Sequence, residues 1–159
     1  MHRVVVKKGY LSFSASHFIS MMGKCERMHG HNYAVSVELE GDLTEDRYVF
    51  DFVLLKRTVR QVCDSLDHHF LLPEKSKLFG VRHANGEWEI RFGERRYVMP
   101  DADVLPLPVD SITAERLAEF ICAQLLEALR DYDTSNLTSI TVGVEEAPGQ
   151  TAYYRRSLA

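Results

Sequence analysis

Leu11, Phe13, Ala15 and His17 share one parity while Ser12, Ser14 and Ser16 take the other, so residues 3–17, which open with an apolar run, predict a half-buried strand. The alternation returns at His29, where His29, His31, Tyr33, Val35, Val37 and Leu39 stand against Asn32, Ala34, Ser36, Glu38 and Glu40 until Gly41-Asp42 ends the strand. Both strands therefore place imidazoles on their apolar faces. Residues 18–28, between them, show no clear period and contain Gly23, which predicts a loop or a short helical turn.

Asp51 to Asp67 reads as a helix capped by Asp51, with Phe52, Leu55, Val59, Val62 and Leu66 forming one stripe. It runs into a titratable cluster, Asp67-His68-His69. Residues 77–99 predict a three-stranded meander, with Asn85-Gly86 and Gly93-Glu94 as its tight turns and Trp88, Ile90 and Phe92 on one face. Pro100 to Pro108 reads as a connector. A second helix starts near Thr113, a suitable N-cap, with Glu115 in its first turn. Its stripe is Leu117, Phe120, Ile121, Leu125, Ala128 and Leu129, interrupted by Gln124, and it ends around Asp131. Ile140, Val142, Val144 and Glu146 then share a parity, and Pro148-Gly149 turns the chain into a closing strand at 151–156. The order β, β, α, meander, α, β, β is that of an α+β domain with mainly antiparallel pairing.

With 159 residues the chain forms one domain, 1–159, long enough to bury about two-thirds of its unfolded surface without staples. A net charge of −4 with interspersed signs argues against a general nucleic-acid or membrane surface. No apolar run reaches the roughly 18 residues of a membrane span, and the start does not read as a signal peptide. Three cysteines, Cys25, Cys63 and Cys122, are too few and too odd in number for a disulfide framework and predict a reducing, cytoplasmic setting.

The chemistry concentrates between His17 and His31. Burying three unpaired imidazoles without a metal is costly, so His17, His29 and His31 predict a metal site with an open position, for which zinc is the best fit. Cys25 is either a fourth ligand, a buried filler, or a nucleophile or base beside the metal. Its polar surroundings, Lys24 and Glu26, together with a nearby metal, predict a lowered thiol pKa. Asp67-His68 reads equally as a carboxylate orienting an acid–base imidazole or as a helix C-terminus that favours histidine. His69 projects elsewhere and is structural or solvent-facing. Glu146, which follows apolar residues of its own parity, is either an exposed terminal residue or a bidentate grip for a heterocycle's N–H pair. Thr113 and Glu115 are accounted for by capping.

Taken together, Phe13-Ser14-Ala15-Ser16-His17, Gly23-Lys24-Cys25, His29-Gly30-His31, Asp51-Phe52, Leu66-Asp67-His68-His69, Thr113-x-Glu115 and Glu146 resemble the 6-pyruvoyl-tetrahydropterin synthase family, which includes the 6-carboxytetrahydropterin synthases of the 7-deazaguanine (queuosine) pathway. The resemblance implies a tunnelling fold whose sheets close into an oligomeric barrel, as a homohexamer built from a dimer of trimers. It implies zinc on His17, His29 and His31, and a proton-transfer set of Cys25, Asp67 and His68 that can span a subunit boundary. It further implies Glu146 on the pterin ring with Thr113 and Glu115 near it, and 7,8-dihydroneopterin triphosphate as substrate. The three-residue spacer Glu26-Arg27-Met28 between cysteine and His-Gly-His resembles the carboxy-forming branch. The pyruvoyl-forming reaction, another side-chain lyase activity and a non-catalytic pterin- or zinc-binding scaffold are the alternatives. Two departures from the family pattern stand out: a meander inserted at about 74–108, and Ala147 where threonine commonly follows the glutamate.

Overall fold

The computed structural model describes residues 1–22 and 24–158. Among the described residues eleven strands run in chain order: β1 (His2–His17), β2 (Ser20–Met21), β3 (Lys24–Cys25), β4 (His29–Gly41), β5 (His69–Pro73), β6 (Gly80–Ala84), β7 (Glu87–Phe92), β8 (Arg95–Pro100), β9 (Val104–Leu107), β10 (Leu137–Ala147) and β11 (Gln150–Ser157). Helix α1 (Phe52–Leu66) follows β4, and α2 (Ala114–Ala128) follows β9. The main sheet has the order β11-β10-β4-β1-β5-β9, and β6-β7-β8 form a separate three-stranded sheet. The fold is α+β, with antiparallel pairing except where β5 runs parallel to both β1 and β9.

The expected alternation of β1 holds from Leu11 to His17, but the strand changes parity upstream. Val6 and Leu11 are both buried although they differ in parity. Between Lys7 and Ser12 the chain advances five residues while its partner β4 advances two, from Ser36 to Ala34, a bulge that re-aims the apolar positions. Pairing with β4 then continues through Phe13↔Tyr33, Ala15↔His31 and His17↔His29. Across β4, the register Ile140↔Leu39, Val142↔Val37 and Val144↔Val35 carries the same apolar face onto β10.

Both helices pack on this face, α1 over β1 and α2 over β10 and β11. Asp51 caps α1 by accepting the Leu54 N–H at 2.8 Å. The buried stripe of α1 is Leu55, Thr58, Val59, Val62, Cys63 and Leu66; the expected first member, Phe52, is half exposed in the opening turn. On α2 the stripe is Leu117, Ala118, Ile121, Cys122 and Leu125, followed by Leu129. The expected Ala128 is exposed, as is Gln124, so the true stripe sits one position later in each turn and Gln124 does not interrupt it.

Two expected irregular stretches are strands. Residues 18–28, expected as a loop or helical turn, contain the β2–β3 hairpin, with Ser20↔Cys25 and Met21↔Lys24 paired; Gly23 lies outside the described residues. The connector from Pro100 to Pro108 contains a 3₁₀ turn and then β9, the edge strand of the main sheet. Beside it, β5 is buried on both faces. Leu71 enters the main core, while Phe70 and Leu72 join a second apolar cluster with Phe18, Cys25, Ile90 and Val104. The meander is thus packed against the main sheet through a small core of its own, with its turns at Asn85-Gly86 and Gly93 in positive φ as expected. Among the described residues no helix is long and apolar enough to cross a membrane.

Candidate metal centre and active site

At one end of the core-facing side of the sheet, imidazoles replace aliphatic side chains. His17, the last residue of β1, is directly opposite His29, the first of β4, and His31 follows on the same face opposite the small Ala15. The ligand nitrogens of these three residues lie within 4.8 Å of one another, and among the described residues they form the one such group. Gly30 permits the arrangement: a Cβ there would sit 2.7 Å from the Ala15 carbonyl oxygen.

The hydrogen bonds fix which nitrogen is free. His17 Nδ1 lies 2.8 Å from the Ile112 carbonyl, and His29 Nδ1 lies 2.8 Å from the Arg27 carbonyl. Carbonyl oxygens only accept, so each Nδ1 carries a proton, and Nε2 is the nitrogen left to act as a ligand. Those two Nε2 atoms face each other at 3.2 Å. The Nε2 of His31 is buried without a hydrogen-bond partner. Burial, reinforced by the two neighbouring imidazoles, lowers the His17 pKa to about 4, against the opposing pull of the Ile112 carbonyl. Three converging imidazoles suit a metal cation, and carbonyls orient the rings of His17 and His29 from behind.

Glu146 stands at the rim of this group, its Oε1 3.6 Å from His31 Nε2. Ile112 links the site to the start of α2, where Thr113 caps the helix by accepting the Arg116 N–H at 3.3 Å and Glu115 is exposed. Neither Ile112 nor Arg27 acts through its side chain, so no residue-type signal in the sequence marks them.

Asp67 follows α1 and divides its carboxylate. Oδ1 accepts the Ser14 backbone N–H at 2.7 Å, and Oδ2 lies 2.7 Å from His68 Nδ1. The Ser14 N–H is the main cause of a carboxyl pKa below its ordinary value, and His68 adds to it. His68 adopts a positive φ of 58° and donates its own N–H to the Ser14 carbonyl at 2.7 Å, so β1 holds this residue in a conformation uncommon for side-chain-bearing residues. Its ring is exposed. It lines an open cavity of about 650 Å³ together with His31, Gly30, Met28, Met99 and Asp103. His69, expected to be structural or solvent-facing, begins β5 and lines the same cavity, with a buried Nδ1 that lacks a partner.

Cys25 departs from expectation. It is buried in the second apolar cluster, not set in a polar irregular segment, and burial pushes its thiol pKa up. The cation beside it is Arg95 of the meander, which pulls in the opposite direction. Cys25 is outside the three-histidine group and outside the lining of the His68 cavity. Glu26, read from sequence as a polar neighbour of Cys25 and as part of the spacer, is exposed with its Oε2 4.0 Å from His29 Nε2. A carboxylate three residues before the histidine is the signal that marks it.

Comparison with known proteins finds relatives over almost the whole chain. A Methanocaldococcus jannaschii protein provisionally named 6-carboxy-5,6,7,8-tetrahydropterin synthase is 34% identical over 149 residues, covering 93% of this chain and 91% of its own. A Pyrococcus abyssi protein with the same provisional name is 33% identical over 86% of this chain and 80% of its own. Among solved structures, 6-pyruvoyl tetrahydropterin synthase from Plasmodium vivax superposes with a TM-score of 0.94 at 35% identity, over 99% of this chain and 98% of that one, a span that takes in the meander. Another structure of the P. vivax protein is described as a catalytic-residue mutant in which a glutamate is replaced by alanine. The family profile described as 6-pyruvoyl tetrahydropterin synthase matches residues 6–157, and the chain belongs to that family.

Proposed function

We propose that the protein is a zinc-dependent lyase that converts 7,8-dihydroneopterin triphosphate to 6-carboxy-5,6,7,8-tetrahydropterin, releasing acetaldehyde and triphosphate, in the 7-deazaguanine (queuosine) pathway of the cytoplasm. The observation that carries this reading is the set of three imidazoles whose ligand nitrogens converge beside Glu146. His17, His29 and His31 would hold the zinc, which when bound would supply Lewis acidity to the substrate's side-chain hydroxyls. Glu146 takes the pterin's amidine-like N–H pair, with Thr113 and Glu115 beside the ring. Cys25, as thiolate, accepts a proton from the side chain, and His68, oriented by Asp67, returns or relays one. The proton-transfer set is completed between copies, in a homohexamer built as a dimer of trimers. Incubating the metal-analysed protein with 7,8-dihydroneopterin triphosphate and identifying the product by mass tests the reading. Absence of turnover with zinc fully loaded overturns it.

A second reading has a specific observation in its favour. The Cys25 thiol is buried and its pKa raised, whereas the Glu26 carboxylate is exposed and within 4.0 Å of His29 Nε2. The P. vivax relative is described as having a catalytic glutamate. On this reading Glu26 accepts the proton, and the product carries either a pyruvoyl side chain or one shortened by carbon–carbon cleavage. Cys25→Ala and Glu26→Gln separate the two: loss of turnover in the first variant with zinc retained assigns the base to Cys25, and loss in the second alone assigns it to Glu26.

A further inference from the structure

We infer that Arg95 of the meander is a positioning residue for the Cys25–Glu26 segment, fixing its backbone and placing a guanidinium beside the thiol. This rests on the proposed proton-transfer role of Cys25. Arg95 begins β8, immediately after the Gly93-Glu94 turn. Its Nη1 donates to the Cys25 carbonyl at 3.0 Å and reaches the Glu26 carbonyl at 3.4 Å, a link across 70 residues of chain.

The segment it grips has little else to hold it. Strand β3 is two residues long, pairs only with β2, and lies outside the main sheet. One further backbone bond, from the Glu26 N–H to the Ile19 carbonyl at 2.8 Å, closes the hairpin. Everything else comes from the second apolar cluster, to which the meander contributes Ile90 directly and Phe92, Tyr97 and Met99 at its margin. Phe18, which precedes the hairpin, packs its ring 4.7 Å from that of Tyr97 on β8. A short hairpin carrying a reactive group is thus supported from outside by the meander, as a site on a loop must be to keep its geometry.

The same contact acts electrostatically. Cys25 Sγ donates to the Glu26 carbonyl at 3.3 Å, the oxygen that Arg95 also approaches. The charged groups acting on the thiol are Arg95 and Glu26: burial and the Glu26 carboxylate disfavour thiolate, and the guanidinium favours it. The rest of its surroundings in the cluster, Phe18, Phe70, Leu72, Ile90 and Val104, are apolar and offer no compensation.

Arg95 is itself exposed, so removing it costs the fold little. A merely structural arginine and a positioning one therefore differ in what they do to the thiol. The test compares the zinc-loaded wild-type chain with Arg95→Gln, which keeps amide donors without charge, and Arg95→Lys, which keeps charge. Alkylation of Cys25 by iodoacetamide is followed against pH by peptide mass, alongside kcat and KM. Arg95→Gln is expected to move the alkylation midpoint upward and lower kcat about tenfold, with KM changed less than about twofold. Arg95→Lys is expected to restore the midpoint. An identical midpoint in all three proteins overturns the inference, whatever the turnover. A midpoint that moves in a protein with no turnover overturns the proposed reaction and leaves the role of Arg95 standing.

Discussion

His17 and His29 face each other across the β1–β4 pair with their Nε2 atoms 3.2 Å apart, each ring proton held on the opposite side by a backbone carbonyl. Two lone pairs at that separation repel unless a cation lies between or near them. The carbonyls of Ile112 and Arg27 therefore do more than anchor the rings: they choose the tautomer that makes the pair a ligand set.

Metal removal should accordingly destabilise the fold, not only silence the enzyme. With free zinc near a hundredfold above its dissociation constant, binding adds about 2.7 kcal/mol. For a chain of this length, stripping the metal with a chelator should lower Tm by about 5–10 °C, and added zinc should restore it. His31→Ala should abolish that zinc-dependent gain, because its buried Nε2 has no other partner. A chelator-insensitive Tm in a protein shown to have lost its metal would count against the three-histidine site.

Gly30→Ala should damage the site through the backbone. The added Cβ would meet the Ala15 carbonyl oxygen at 2.7 Å, and Ala15 belongs to the strand that ends in His17. The strands must part for it, so the variant should lose about 1–3 kcal/mol in urea unfolding and bind zinc more weakly by titration. Wild-type stability and affinity would show that the close approach is not needed.

The histidine cluster was legible because a strand's period of two survives in sequence, and the imidazoles simply extend an apolar parity to its end. Strand β5 was not, because its residues serve two cores: Leu71 points to one and Phe70 and Leu72 to the other, so the run has no alternation to read. Strand β9 hides behind Pro106, which an edge strand tolerates and an interior strand does not. The surroundings of Cys25 were misread because the residues that bury it, Phe70, Ile90 and Val104, come from elements far along the chain. Arg95 was invisible for the same reason, and Ile112 because it contributes only a carbonyl.

Asp67 should set part of the acid limb of the stability profile. Its folded pKa is depressed, chiefly by the Ser14 N–H. Such a group contributes stability that is present above its ordinary pKa of 3.8 and lost as pH falls through its lower folded value. Asp67→Asn should therefore be the less stable protein at neutral pH and should approach the wild type in acid, since its amide keeps the Ser14 contact but does not titrate. Parallel denaturation curves for the two proteins between neutral pH and pH ~3 would remove Asp67 from that account.

Glu146 offers the sharpest separation of substrate binding from metal binding. Its carboxylate lies 3.6 Å from His31 Nε2, beyond a hydrogen bond, and His31 reaches the metal group without it. It ends an apolar parity whose preceding members, Ile140, Val142 and Val144, are fully buried, so the chain places a charge where the core opens to the site. If that charge grips a pterin's N–H pair, Glu146→Ala removes two charge-assisted hydrogen bonds and should cut kcat/KM by about tenfold to a few hundredfold, while bound zinc and Tm stay near wild type. Glu146→Gln, which can accept only one such bond, should fall between the two. A loss of zinc equal to the loss of activity would instead make Glu146 a support for His31, and the pterin would then have to be held by other groups near the histidines.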